Sequence, residues 1–504
     1  MRIALPLLAC CLLASACSRS LVPGGLPTPN ASEFAVRGVT VVDVEHGSLL
    51  VDRTVVVRGN RIVAVDSGTR VRRAKLRVID GVGKYLIPGL WDMHGHVLNR
   101  WNWGAPLYVA NGVTGVRDMS TSTPLAEVRR LRVALQAGLE VGPRFLTAGP
   151  LIDGEPALFP EYLSVSTADR ARRVVDSLHA AGADFIKVYT HLPRPLFDVI
   201  VEQAKRLGLP FVGHVPLSLS TGEASDLGMR SVEHAYRHRM ACAVAEPDIR
   251  RLLIGELEAQ QRGDPMTSEL LADSAFVLGI ERYDRDRCEA LGRRFARNGT
   301  WFVPTLVEMR SRFLPEPSTK AGFDSAFTQP RLAYMPREMV ATWRDDESYK
   351  RGLRDHAASS RDAYETVVRN RALEVETRLH MVADMHRGGA GILAGTDAAV
   401  AFPLVMLGYG VHEELTMLVQ AGLTPLQALQ AATLNPARFL NATDSLGTVA
   451  PGRLADLLLL DANPLVDIRH TTRIHGVVLN GHWFDRAALD ALLDRARRAA
   501  NPAR

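Results

Sequence analysis

The sequence predicts an α/β protein: a parallel (β/α)8 TIM barrel joined to a small β-sandwich composite domain built from both chain ends. Three observations carry this reading. Short strand-like stretches fill the chain from about residue 35: "VRGVTVVDV", "TVVVRGNRIVAVD" with Gly59-Asn60 as its turn, and "KLRVID". The same period-2 pattern returns only near the end, in "SLGTVAPGRLADLLLLD" and "IHGVVLNGHWFD". Neither set can bury a face alone, so the two ends are expected to meet. Between them strands alternate with amphipathic helices, the pattern of parallel βαβ units.

Taken in order, the elements begin with "MRIALPLLACCLLASACSRS", an apolar run of export-signal length with small residues before Cys17. Ala14-Ser15-Ala16-Cys17 resembles a bacterial lipobox, which predicts lipidation of Cys17 and a periplasmic or cell-envelope lipoprotein. Cleavage and soluble secretion is the alternative. Residues 1–17 form the signal and 18–34, rich in Pro, Gly and Ser, a flexible tether. Residues 35–86 form the first part of the sandwich and 87–445 the barrel. Residues 446–488 complete the sandwich, and 489–504 form a C-terminal helix and tail.

Within the barrel, strand candidates end or fall at 90–96, 114–119, 144–149, 185–190, 211–216, 231–235, 301–306 and 391–398, with helices predicted at 168–181 and 195–207. The connections after the sixth and seventh are long. Residues 310–345 carry Phe313, Phe323, Phe327, Tyr334 and Trp343 among prolines, the composition of a segment that covers a site.

At 504 residues, with 47% hydrophobic and 23% charged, the chain can build a large core, which excludes extensive disorder. The net charge of +5 comes from interspersed residues without a basic block, so no nucleic-acid partner is expected. Three of the five cysteines lie in the leader, which leaves Cys242 and Cys288 and excludes a disulfide framework. Whether those two pair stays open.

Barrel enzymes keep their chemistry at the C-terminal ends of the strands. Five of the eight candidates end in metal-binding residue types: His94 and His96, Lys187, His214, His234 and Asp397. In His94-Gly95-His96 the imidazoles are two residues apart and share a strand face. Taken singly, His214 or His234 reads first as a hydrogen-bonded core histidine, and Asp397 could cap the next helix. Lys187 is harder to dismiss, because an ammonium in an apolar strand is costly unless neutralised. Their coincidence at one end of one barrel points to a metal site.

The order HxH, Lys, His, His, Asp on strands one, four, five, six and eight resembles the amidohydrolase superfamily, over roughly residues 35–490. "GLTPLQALQAATLNPARFLNATDSLGTVAPGRLADLLLLDANPL" is similar to that family's last barrel helix and its return to the sandwich. Among subgroups it looks most like the exported relatives of imidazolonepropionase and Xaa-Pro dipeptidase. Lys187-Val188-Tyr189-Thr190-His191 departs from the small, Gly-rich segment of the dipeptidase-like ones. The resemblance implies an exported binuclear hydrolase of amide-type C–N bonds acting through a metal-activated hydroxide. It implies a carbamylated Lys187 bridging two divalent metal ions, with His94, His96 and Asp397 on the first and His214 and His234 on the second. Zinc suits such mixed ligands, and Asp397 would accept the proton.

Tyr189 shares the inward face of Lys187 and is a candidate donor to the developing oxyanion. His191 and Arg194 after strand four, and Arg237, His238 and Arg239 after strand six, are candidate substrate-binding residues; an Arg fork there suits the carboxylate of a dipeptide or N-acyl amino acid. The same site could serve a lactone or phosphotriester hydrolase, and a non-catalytic binding lipoprotein is a further alternative. Partners are a small molecule or short peptide, membrane contact is through the lipid anchor only, and a homo-oligomer stays open.

Overall fold

The computed structural model describes residues 33–68, 76–234, 238–308, 327–345, 361–398 and 404–502. The predicted leader with Cys17, Arg237, Phe313 and Phe323 lie outside the described residues, as do the side chains of His238 and Arg239.

Parallel pairing runs from Leu90–Gly95 to Val113–Asp118 to Arg144–Thr147. A second parallel run goes from Ile186–Val188 through Phe211–Gly213, Ser231–Glu233 and Trp301–Val303 to Gly391–Ile392. Backbone hydrogen bonds join the two runs at both seams. Met93 N donates to Ala394 O at 2.8 Å, and Asp184 N donates to Thr147 O at 2.9 Å. All eight predicted strands are thus present, parallel and in barrel order.

The sequence explains the helices between them. Helix Ala168–Ala181 starts at Thr167, whose side chain accepts from Arg170 N, and stops at Gly182 with φ 93°. It buries Ala171, Val174, Val175 and Leu178, one face at helical spacing. Helix Arg194–Arg206 falls within one residue of its predicted place and buries Phe197, Ile200, Val201 and Ala204.

Three features differ from expectation. The strands of the second run pair over only two or three residues, so His214 and His234 sit just past the last paired residue, where the backbone is free to bend. An excursion after barrel strand three contains two unpredicted strands, Ile152–Gly154 and Leu163–Val165, parallel to each other. The long connection after strand six is a helical hairpin, Glu246–Gln261 and Pro265–Glu281, closed at its neck by a Cys242–Cys288 disulfide.

The two chain ends do meet. Strands Glu33–Val42, Leu49–Arg58, Arg61–Ser67, Arg77–Asp80 and Tyr85–Pro88 combine with Leu457–Leu460, Ile474–Leu479 and His482–Asp485. Where the sequence predicts a small sandwich, the pairing joins them edge to edge in one eight-stranded sheet. The described part of the second long connection, from Phe327, buries Leu332, Met335 and Trp343 and bonds to Asn501 beyond the C-terminal helix. Among the described residues no helix is long and apolar enough to cross a membrane.

Candidate metal centre

Three strand ends bring His94, His234 and Asp397 together, with one ligand-type atom from each lying within 4.8 Å of the others. All three are buried. Two of them hold left-handed backbone, His234 at φ 67° and Asp397 at φ 54°, a conformation that costs energy in a non-glycine residue and persists only where the surroundings impose it. Gly395 makes the approach of strand eight feasible, because a Cβ there would lie 2.7 Å from His94 Cβ. Thr396 N and Asp397 N then both donate to His94 O, at 3.1 and 2.7 Å.

His96 reaches the same carboxylate, with Nε2 3.0 Å from Asp397 Oδ1. The His214 ring packs edge-on against His234, centroids 4.8 Å apart. Tyr189 stacks on the other side of His214 at 4.0 Å. Lys187 is 3% exposed, its Nζ 6.0 Å from the centre of the Tyr189 ring. The six predicted ligand residues are thus linked by contacts at one end of the barrel, and the tightest group, His94, His234 and Asp397, combines two residues assigned to the first metal with one assigned to the second.

The electrostatics suit a cation. Burial pushes the His94 imidazole down to about 4 and that of His234 well below its usual value, so both are held neutral with a lone pair to offer. Asp397 feels burial pushing upward, yet His94, His96 and His234 together hold it well below the carboxylate range. Burial also drives Lys187 downward, toward the neutral amine.

The candidate histidines are held from behind through Nδ1. His94 Nδ1 lies 2.9 Å from Glu233 Oε2, and Glu233 accepts from Arg117 Nη2 at 2.8 and 3.0 Å. Arg117 is 1% exposed, donates to Met93 O and Ser231 Oγ, and lies over the Phe439 ring. With Nδ1 engaged, His94 Nε2 is buried without a hydrogen-bond partner and faces Asp397 at 3.4 Å. Such a bare imidazole nitrogen fits a metal ligand whose other nitrogen is held by a carboxylate. His214 Nδ1 is 3.2 Å from Thr190 Oγ1, and His234 Nδ1 is 2.8 Å from Thr305 Oγ1. Asp92 ties strands one and eight by accepting from His94 N and Thr396 N, both at 3.1 Å, and from the Tyr108 and Thr396 hydroxyls. Buried Glu414 accepts from Val307 N at 2.8 Å and so holds the turn that presents Thr305.

The profile of the amidohydrolase family matches residues 334–484, which include Asp397. A bottromycin amidohydrolase has the same architecture over 93% of this chain and 91% of its own, with TM-score 0.69 and 25% identity. The chain is thus similar to amidohydrolase-family proteins, in sequence over its last third and in fold over most of its length. The fold also matches a putative prolidase from Bifidobacterium longum, TM-score 0.61 and 23% identity over 92% of this chain and 99% of that one. In sequence it is 36% identical to adenine deaminase 2 of Jannaschia sp. (strain CCS1) over 107 residues, 20% of this chain. That match spans only 17% of the deaminase.

The candidate substrate-binding residues after strand four stand apart from this cluster. Arg194 pairs with Asp198 at 2.9 Å and Glu223 at 3.4 Å on the surface. His191 is 3.1 Å from Pro156 O and packs beside buried Asp153, whose Oδ1 accepts its backbone N–H. Sequence reasoning missed Asp92, Arg117, Glu233, Thr305 and Glu414. For Arg117 and Glu233 the signal was present: a charge inside an apolar strand needs a partner, the argument applied to Lys187.

Proposed function

We propose that the chain is an exported, metal-dependent hydrolase that cleaves an amide-type C–N bond, with dipeptides or N-acyl amino acids as its substrate class. The observation that carries this reading is the buried meeting of His94, His234 and Asp397, with His94 Nε2 unpartnered. His94, His96, His214, His234 and Asp397 would hold two divalent ions, zinc by ligand chemistry, and Lys187 would join them as a carbamate. Its burial favours the neutral amine, the form that adds carbon dioxide. When bound, the metals supply acidified water and polarise the attacked carbonyl.

The chain's own residues do the remainder. Asp397, held ionised, accepts the proton of the attacking water and returns it to the leaving nitrogen. Tyr189, half-buried on His214, is placed to donate to the oxygen on which charge develops. Glu233 and Arg117 keep the His94 ring oriented. The Cys242–Cys288 disulfide supports an oxidising compartment and hence export, with Cys17 as the proposed lipid anchor.

Metal analysis of protein prepared with zinc and bicarbonate, followed by a panel of dipeptides, N-acyl amino acids, lactones and phosphotriesters, tests the proposal. The expected result is about two ions per chain, fewer in Lys187→Ala, and turnover confined to the amides. No metal uptake, or turnover of lactones or phosphotriesters alone, overturns it.

A further inference from the structure

The excursion after barrel strand three packs against barrel strand four. Its first strand, Ile152–Gly154, pairs in parallel with barrel strand four at Val188, which places the excursion beside Lys187 and Tyr189. A buried carboxylate holds it there: Asp153 Oδ1 accepts from Gly154 N and His191 N, at 2.9 and 2.7 Å, and Oδ2 accepts from Leu158 N at 3.1 Å.

The excursion carries aromatic side chains toward the metal centre in a continuous file. Phe159 meets Tyr162 edge-on with centroids 5.2 Å apart, and Tyr162 meets Tyr189 edge-on at 5.2 Å. Tyr189 stacks on His214 at 4.0 Å. The outer end is open to solvent, with Phe159 43% and Leu158 39% exposed, while His214 at the inner end is 3% exposed. Apolar surface left in water on a segment fixed by a buried carboxylate is a standing cost, relieved by whatever covers it. The file is continuous with the proposed reaction centre, so a substrate held there lies along it. Among the described residues, Arg194 after strand four is already paired with Asp198 and Glu223, and the wall itself offers ring faces and edges.

We propose that Phe159, Tyr162 and Tyr189 form a subsite for an aromatic or large apolar group next to the scissile bond, which makes the substrates amides of aromatic or bulky aliphatic residues. This rests on the metallohydrolase reading. A bound ring would pack edge-to-face or offset against the file, the geometry the three side chains already adopt with one another.

The test compares acetohydroxamate with phenylacetohydroxamate, which share a metal-binding head and differ by a phenyl ring, by calorimetry on the zinc-loaded full chain. The phenyl compound should bind about tenfold tighter or more. Phe159→Ala and Tyr162→Ala should each reduce that preference severalfold, whereas Tyr162→Phe, which keeps the ring, should retain it. Melting curves confirm that the variants fold. Equal affinity of the two compounds in the wild type, or a preference that survives both alanine variants, overturns the subsite. Repeating the pair on chelator-stripped protein separates this from the parent reading. A phenyl preference that persists there, at weaker affinity and with the same response to the variants, supports the file even if the metal assignment fails. Its absence in both preparations refutes the file.

Discussion

The floor of the centre and its rim are built by opposite means. On the floor, Arg117, Glu233, Asp92 and Glu414 are ionisable residues almost wholly removed from water, and each meets backbone or side-chain partners around the candidate ligands. On the rim, Arg194 makes its ion pairs at 41% side-chain exposure, and Phe159 stands in solvent. A buried charge stripped of its partner is strongly penalised, whereas an exposed pair is screened and contributes little. The floor therefore tolerates almost no change, and the rim is free to vary.

The strongest way to break that contrast is Asp397→Asn. It should keep a near-native melting curve but lower kcat on the best amide by about 10²–10⁴-fold, because proton transfer and a ligand are lost together. Survival of kcat within a few-fold would move the general base elsewhere.

Next comes Glu233→Gln, which leaves the Arg117 guanidinium buried without its counter-charge. Denaturant unfolding should show a loss of about 3–5 kcal/mol, and metal titration should show about 10–100-fold weaker binding. A variant as stable as the wild type would mean that the floor is less constrained than described. Away from both regions, Cys242→Ser opens the neck of the helical hairpin and should cost about 2–4 kcal/mol. Loss should be greatest in hydrogen exchange within 246–281.

Glu414 sharpens the comparison through pH. Burial pushes its carboxyl up to about 8, with Asp92 and Glu308 adding to the rise and the Val307 and Leu306 N–H groups opposing it. A raised acid favours the fold while protonated. Its contribution is complete below the ordinary value near 4.5 and fades as pH climbs toward 8. Relative to Glu414→Gln, the wild type should lose about 2 kcal/mol or more of stability between pH 5 and 8. Parallel curves for the two proteins would show that this carboxyl does not titrate in that window. The smallest effect belongs to Arg194→Ala, which should leave the unfolding midpoint where it was. A large change in KM for a carboxylate-bearing substrate would restore Arg194 as a substrate contact.

The eight barrel strands were legible because apolar runs alternating with amphipathic helices leave few other solutions. The candidate ligands were legible as a cluster because metal-binding side chain types recur at the ends of those runs. What lay beyond reach depends on contacts between distant segments. Nothing local to Glu233 shows that it will face His94, 139 positions away. Tyr162 sits in a connection with no helical or strand period, and its role exists only because Asp153 ties that connection to strand four. The predicted boundaries ran long for a related reason: residues such as His214 and His234 have strand-like neighbours, but they leave the ladder where the site begins.

The sheet shared by the two chain ends has a consequence for the order of assembly. Strand Tyr85–Pro88 lies between Glu33–Val42 and Leu457–Leu460, so one of its edges has no partner until the far end of the chain has been made. During synthesis the early strands must wait through the whole barrel with an open hydrogen-bonding edge, in the slow, non-local regime of folding. The exposed edge is a template for wrong pairing during that interval. Completion of the sheet by Leu457–Leu460, Ile474–Leu479 and His482–Asp485 is then the late event that locks the barrel between its own termini. Truncation before residue 457 should yield a chain that aggregates rather than a smaller folded barrel.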